Sequence, residues 1–284
     1  MPINKHGALA TVSVITIFTI IVSFLFGLIT NDYSWTDRLW STTPVGYAWI
    51  YAAAGSWDIT ITIPALLVTL WGARLTFNFT RRGGFTGGED YRWPILREKI
   101  GNPVYWQIFN FLFISFYQQF LFICFTVPLY IISQTSESMN PALSAVGALV
   151  MLGFLILETV ADQQQYNFQQ SKYGLLPKVP AFQDDYERGF RTSGLFAISR
   201  HPNYLGELGV WWAIYIISVG HSGSLVHWSA FGPLLLTLLF VGSTIFTEGI
   251  TSEKYPLYSQ YKQEVWPIFP KLSKPKGNPM RETT

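Results

Sequence analysis

"ALATVSVITIFTIIVSFLFGLIT", residues 8–30, contains no charged side chain. As a helix it measures about 35 Å at 1.5 Å per residue, enough to cross a hydrocarbon core of about 30 Å. It is too long for the apolar core of a signal peptide. It also lacks a small-residue cleavage site in front of a soluble domain. The stretch therefore predicts a retained transmembrane helix, and the rest of the chain follows its lead. Further apolar runs lie near 59–79, 105–132, 142–162, 205–220 and 227–248, with a shorter aromatic one, "PVGYAWIYAAAGSW", at 44–57. Only 13% of residues are charged, against about 25% in a soluble domain. The expected fold is an all-α, multi-pass transmembrane bundle of about seven spans. One domain covers residues 1–270, and a flexible tail covers 271–284.

The loops orient the bundle. Basic residues gather in 80–104 (Arg81, Arg82, Arg92, Arg97, Lys99), in 163–203 and in the segment from 249, whereas 133–141 and 221–226 contain no Lys or Arg. Two spans separate successive basic segments, so all three fall on one side, which the positive-inside rule makes cytoplasmic, with the C-terminus. That gives an integral membrane protein of the endoplasmic reticulum in a eukaryote, or of the inner membrane in a bacterium. A net charge of +2 gives no argument for nucleic acid. The single cysteine, Cys124, allows no disulfide within one chain, and four scattered histidines give no metal-ligand spacing. No bound metal is expected.

Four polar clusters interrupt this apolar pattern, each at the cytoplasmic end of a span. In "SRHPNYLGE" (199–207), Pro202 suits the first turn of a helix. The helix start then offers free N–H groups and a positive dipole end beside Arg200 and His201. Asn203 and Glu207 share a face with Tyr204 beside them, and an acid inside a span is usually functional. In "LETVADQQQYNFQQSKYG" (157–174), Glu158, Asp162 and Gln165 line one helical face, suited to ribose hydroxyls or an adenine edge, or alternatively to cytosol. In "LWGARLTFNFTRRGGFTGGEDYRWP" (70–94), Arg74 sits within the apolar run near Trp71, and Arg82 follows. The glycines would let backbone approach a ligand, although neither a phosphate-loop nor a dinucleotide fingerprint is present. In "STIFTEGITSEKYPLYSQYKQEVWPIFP" (243–270), Tyr255, Tyr258 and Tyr261 recur at threes. They could stack on a base or belong to a helix lying on the membrane. In "VYWQIFNFLFISFYQQFLFICFTVPLYII", Gln107, Asn110, Gln118 and Gln119 point one face into the bundle. Together the clusters suggest a polar cofactor entering a cytoplasmic pocket and a lipophilic substrate entering from the bilayer.

These motifs, taken in order over about residues 32–270, resemble the steroid 5-alpha-reductase C-terminal-type family, in particular its widespread branch of unassigned function. The resemblance implies NADPH bound in the cytoplasmic half of the bundle and reduction of a C=C bond conjugated to a carbonyl, in a lipophilic, sterol-like or isoprenoid substrate. Carried over, Asn203, Tyr204 and Glu207 match the "PNYLGE"-type cofactor element, Glu158 and Asp162 its acidic or amide pair, and Arg74 and Arg82 its phosphate-side arginines. Arg200, His201 and Tyr258 join them as cofactor contacts. The family's carbonyl-holding Glu and Tyr have no clear counterpart. Trp71 falls near the expected Tyr, and Tyr47, Tyr51 and Asp58 are the other candidates. Trp71, Tyr47 and Glu207 are taken as the catalytic set. The "RHP-x-Y" element is also similar to that of isoprenylcysteine carboxyl methyltransferase-type enzymes, which use S-adenosylmethionine. A non-catalytic lipid-binding protein on the same fold is the third reading.

Overall fold

A computed structural model describes residues 5–86 and 88–271. Apart from Lys271, the expected tail lies outside the described residues. Within them every element is helical: α1 (Lys5–Thr30), α2 (Trp35–Trp40), α3 (Thr43–Ala54), α4 (Ile59–Arg81), α5 (Arg92–Ile100) and α6 (Pro103–Phe109). A π-helix (Asn110–Tyr117) leads into α7 (Gln118–Ser133), and α8 (Pro141–Lys172), α9 (Gln183–Arg188), α10 (Pro202–Ser222), α11 (Phe231–Lys254) and α12 (Tyr258–Glu264) follow. Five stretches are long and apolar enough to cross a membrane: Gly7–Thr30, Ile59–Arg81, Pro103–Ser133, Pro141–Lys172 and Trp228–Lys254. The protein is therefore an integral membrane protein built of helices. Of the two further spans expected, α3 measures about 18 Å over its 12 residues, and the 21-residue α10 carries polar residues at both ends.

The apolar medium explains why these sequences are helical. α1 is rich in Val, Ile and Thr, which are mediocre helix formers in water. In lipid the backbone has to satisfy its own hydrogen bonds, and a helix does so within one segment. The threonines help by returning their hydroxyls to the preceding turn, as Thr11 does to Gly7 O at 2.9 Å and Thr16 to Val12 O at 2.9 Å.

The chain divides into two compact units. The first runs up to Leu152 and includes Trp211–Leu236. There α3 lies antiparallel against α4: Ser41 meets Thr76 at 2.7 Å and the Trp49 indole donates to Thr69 at 3.0 Å. Gly72 makes this approach possible, because a Cβ there would stand 2.6 Å from Ser41 O. Trp71, Trp211 and Phe125 fill the core, with the two indoles edge to face at 5.0 Å. At one end the "GEDYRW" stretch docks on residues 32–38. Glu89 accepts from Tyr33 N and Arg97, Asp90 N donates to Ser34, and the Trp93 indole donates to Asp37 at 2.8 Å. Arg38 pairs with Asp32 at 2.6 Å and donates to Gly84 O, fixing the glycine-rich loop.

The second unit comprises Gly153–Val210 and the residues from Thr237 onward. It holds the end of α8, the loop with α9, the start of α10, the end of α11, and α12. Its aromatic core is Phe190, Tyr258, Tyr261 and Val265.

Candidate functional site

The site of the second unit is built around the helix start that the sequence picks out. α10 begins at Pro202, and the residues before it run beside a late segment of the chain. Arg200 N donates to Trp266 O at 2.9 Å, His201 N to Pro267 O at 2.8 Å, and Lys271 N to Ile198 O at 2.8 Å. The Ser199 hydroxyl adds a bond to Ile268 O at 2.7 Å. This ladder holds His201 and the first turn of α10 in place.

Glu248 of α11 is the hub. It is 3% exposed and receives a fork from Arg200, Nε at 2.6 Å and Nη2 at 3.0 Å. His201 Nε2 lies 3.0 Å away and Lys262 Nζ 3.5 Å away. The remaining Arg200 nitrogen donates to Lys262 O at 2.9 Å and to Val265 O. One carboxylate thus faces two permanent cations and an imidazole at a helix N-terminus, whose free N–H groups and positive dipole end suit anions. The Arg200 guanidinium is engaged internally, so it contributes field and rigidity, whereas the His201 ring and the Lys262 ammonium are the more accessible groups. The His201 ring stacks on Tyr204 at 4.8 Å, and Tyr204 packs edge to face on Phe240.

Beside this cluster α8 and α10 approach closely. A Cβ on Gly206 would stand 2.5 Å from Glu158 Cβ and 3.0 Å from its Cα, and one on Gly209 would enter the Phe154 ring at 2.2 Å. The two glycines, three apart, let α8 come near enough for Asn203 Nδ2 to reach Asp162 Oδ1 at 3.5 Å. Glu158, Asp162 and Glu207 are all buried. Buried carboxylates beside a half-buried amide offer acceptors to hydroxyl groups. Tyr258 lies in the aromatic core of this unit, edge to face with Phe190 at 5.0 Å. Burial raises its phenol pKa, helped by the nearby Glu248 charge, so it stays neutral.

The structure thus brings Arg200, His201, Asn203, Tyr204, Glu158, Asp162, Glu207 and Tyr258 into one unit. The other expected residues belong to the first unit. Trp71 is fully buried against Trp211. The Tyr47 hydroxyl bonds Thr16 at 2.7 Å. Arg74 is half-buried in α4, and Arg82 is exposed just past its end. Among the described residues, no three His, Cys, Asp or Glu side chains group as metal ligands. The sequence reading missed Glu248 as a hub, Lys262, and the helix-packing role of Gly206 and Gly209. An acid late in an apolar span and a G-x-x-G spacing were the available signals.

The model of the family "Protein of unknown function (DUF1295)" matches residues 23–265. An uncharacterized protein of Schizosaccharomyces pombe (strain 972 / ATCC 24843), C594.04c, is 34% identical over 272 residues, covering 89% of this chain and 79% of that protein. No solved structure matches the chain significantly. With well over half of its length matched, the chain belongs to the DUF1295 family.

Proposed function

We propose that the protein is a membrane-embedded reductase that uses NADPH to reduce a conjugated C=C bond of a lipophilic substrate, in line with the motif resemblance to steroid 5-alpha-reductase-type enzymes. The observation that carries this reading is the cluster of Arg200, His201 and Lys262 on Glu248 at the start of α10, beside the buried Glu158 and Asp162 and the half-buried Asn203. Those residues fit a dinucleotide in kind. His201, Lys262 and the first N–H groups of α10 suit phosphate, and the Asp162–Asn203 edge suits ribose hydroxyls. When bound, NADPH would supply the hydride. The protein's part is to orient it, to keep water from it and to hold its charge. Arg74 and Arg82 are the further phosphate candidates from the resemblance, and Trp71 and Tyr47 the candidates near the reacting carbonyl. We place the C-terminal segment on the cytoplasmic side, in the endoplasmic reticulum of a eukaryote or the inner membrane of a bacterium.

The test is NADPH titration of purified protein in detergent. With 11 tryptophans, binding should quench indole emission and excite nicotinamide fluorescence by energy transfer. Glu207→Gln should weaken binding at least tenfold while leaving thermal unfolding unchanged. Wild-type affinity in that variant removes the assignment of Glu207. S-adenosylmethionine, titrated in parallel, would support the methyltransferase reading if it alone bound.

A further inference from the structure

The connection between α10 and α11 carries its apolar side chains on the outside. Leu225 is 78% exposed and Val226 84% exposed, with Trp228 exposed beside them. No Asp, Glu, Lys or Arg occurs between residues 208 and 247. Apolar tips facing water are unfavourable, and a loose loop would fold them away. Polar side chains pin this loop instead. The Tyr215 hydroxyl of α10 donates to Leu225 O at 2.9 Å and accepts from His227 N at 3.3 Å. The His227 ring packs on the Tyr215 ring at 4.8 Å, and its Nε2 lies 3.3 Å from Ser218 Oγ. The Ser224 hydroxyl donates to Val226 O at 3.0 Å.

These bonds set the direction of the loop. Tyr215 lies seven residues, about 10 Å, before the end of α10 at Ser222, and helical side chains lean toward the N-terminus. A loop held by the Tyr215 hydroxyl therefore folds back along α10 instead of projecting beyond it. The same bonds suit an apolar medium, where backbone polar groups have to be satisfied internally. The carbonyls of Leu225 and Val226, the two residues with the most exposed side chains in the loop, are both capped by side-chain hydroxyls. Length agrees. Residues 231–246 of α11 are uncharged and rise about 24 Å, and the 3-10 turn Trp228–Ala230 adds about 6 Å. Together they match a hydrocarbon core of about 30 Å and set Trp228, a residue type that favours the boundary, at its edge.

We propose that the α10–α11 loop is a membrane-inserted tip. Leu225 and Val226 pack among acyl chains at the bilayer edge opposite Lys254, and Tyr215 is the positioning residue that turns them there. The lipid surface is the partner because the loop runs, without a charge, straight into the spanning stretch Trp228–Lys254. The tip stays at the boundary, where water reaches its amides. This inference is independent of the cofactor reading.

The experiment uses the full chain in phosphatidylcholine nanodiscs, with bimane attached at Leu225→Cys. Cys124 is buried, so the unsubstituted protein is the labelling blank. Glu137→Cys is the water reference, because Glu137 is exposed in the loop whose Met139 N donates to His221 O at the same end of α10. Iodide should quench bimane at 225 roughly tenfold less than at 137, since an ion stays out of the hydrocarbon. Lipid bearing a nitroxide on its acyl chain should quench at 225 and not at 137. Tyr215→Phe keeps the ring and removes the hydroxyl, and should raise iodide quenching at 225 by roughly twofold or more, the scale of one lost hydrogen bond. Ser224→Ala removes the Val226 cap from an exposed position and should move the reading the same way, which keeps the test open if Tyr215→Phe does not fold. Equal iodide quenching at 225 and 137 overturns the proposal. So does shielding at 225 from both quenchers, which would put a protein, a second copy or another partner, over the tip. Unchanged quenching in the folded variants overturns the positioning role of Tyr215.

Discussion

The two units bury different kinds of polarity. The first buries neutral groups: threonines, serines, asparagines and glutamines, with His221 as its only buried ionisable side chain besides tyrosine and cysteine among the described residues. The second buries Glu158, Asp162, Asp185, Arg191, Arg200, Glu207 and Glu248. Neutral groups can pair between neighbouring turns at small cost, as the threonine hydroxyls of α1 do. Buried charges are tolerated only where geometry supplies opposite charges and full hydrogen bonding, and a protein keeps such an arrangement when it has a use for the field. The contrast is why the contacts to ribose and to the phosphates at the start of α10 are proposed in the second unit.

The comparison breaks most readily at Arg200. Arg200→Ala leaves Glu248 buried with only an imidazole and a half-exposed lysine, and should cost about 3–5 kcal/mol, read as loss of cooperative thermal unfolding. Arg200→Lys keeps the charge without the fork and should fall between. A wild-type melting curve for Arg200→Ala would mean that the buried charges are not structural. Gly206→Ala comes next. Its new Cβ would meet Glu158 at 2.5 Å, an overpacking of about 1–3 kcal/mol. It should also lower NADPH affinity by displacing the Asp162–Asn203 edge. Gly153→Ala, where nothing lies within 4 Å, is the control. The smallest effect belongs to the first unit. Asp58 caps α4, accepting from Thr60 N at 2.9 Å and Thr60 Oγ1 at 2.7 Å. These bonds hold its carboxyl below the ordinary carboxylate range. Asp58→Ala should cost about 1 kcal/mol. The cap's contribution is present above the unfolded pKa and is lost as pH falls through the lowered folded value. The variant should therefore lose part of the stability decline on acidification; an unchanged acid limb would remove the cap from the account.

What was readable in advance follows from range. The span-forming runs and the start of α10 at Pro202 are written locally, in composition and in a proline at a first turn; five of the seven expected runs are long and apolar enough to cross a membrane, and α10 does begin at Pro202. The grouping of Asp162 with Asn203 was visible only as two separate faces 41 residues apart. Glu248 was visible as an acid ending a span, but its role depends on Arg200, 48 residues away, and no local pattern encodes such a partner. The π-helix was equally hidden, because residues 110–117 have the same apolar character as an ordinary turn of α-helix.

The ladder between residues 198–201 and 266–271 has a consequence for biosynthesis. Ser199 and its partner Ile268 are 69 residues apart, so the start of α10 is made well before the segment that closes over its first turn. Until that segment emerges, Glu248 has Arg200 and His201 but Arg200 lacks the Val265 carbonyl. The second unit therefore closes only after its last segment is made, and a reporter joined shortly after Lys271 should delay that closure without altering how the earlier helices are threaded.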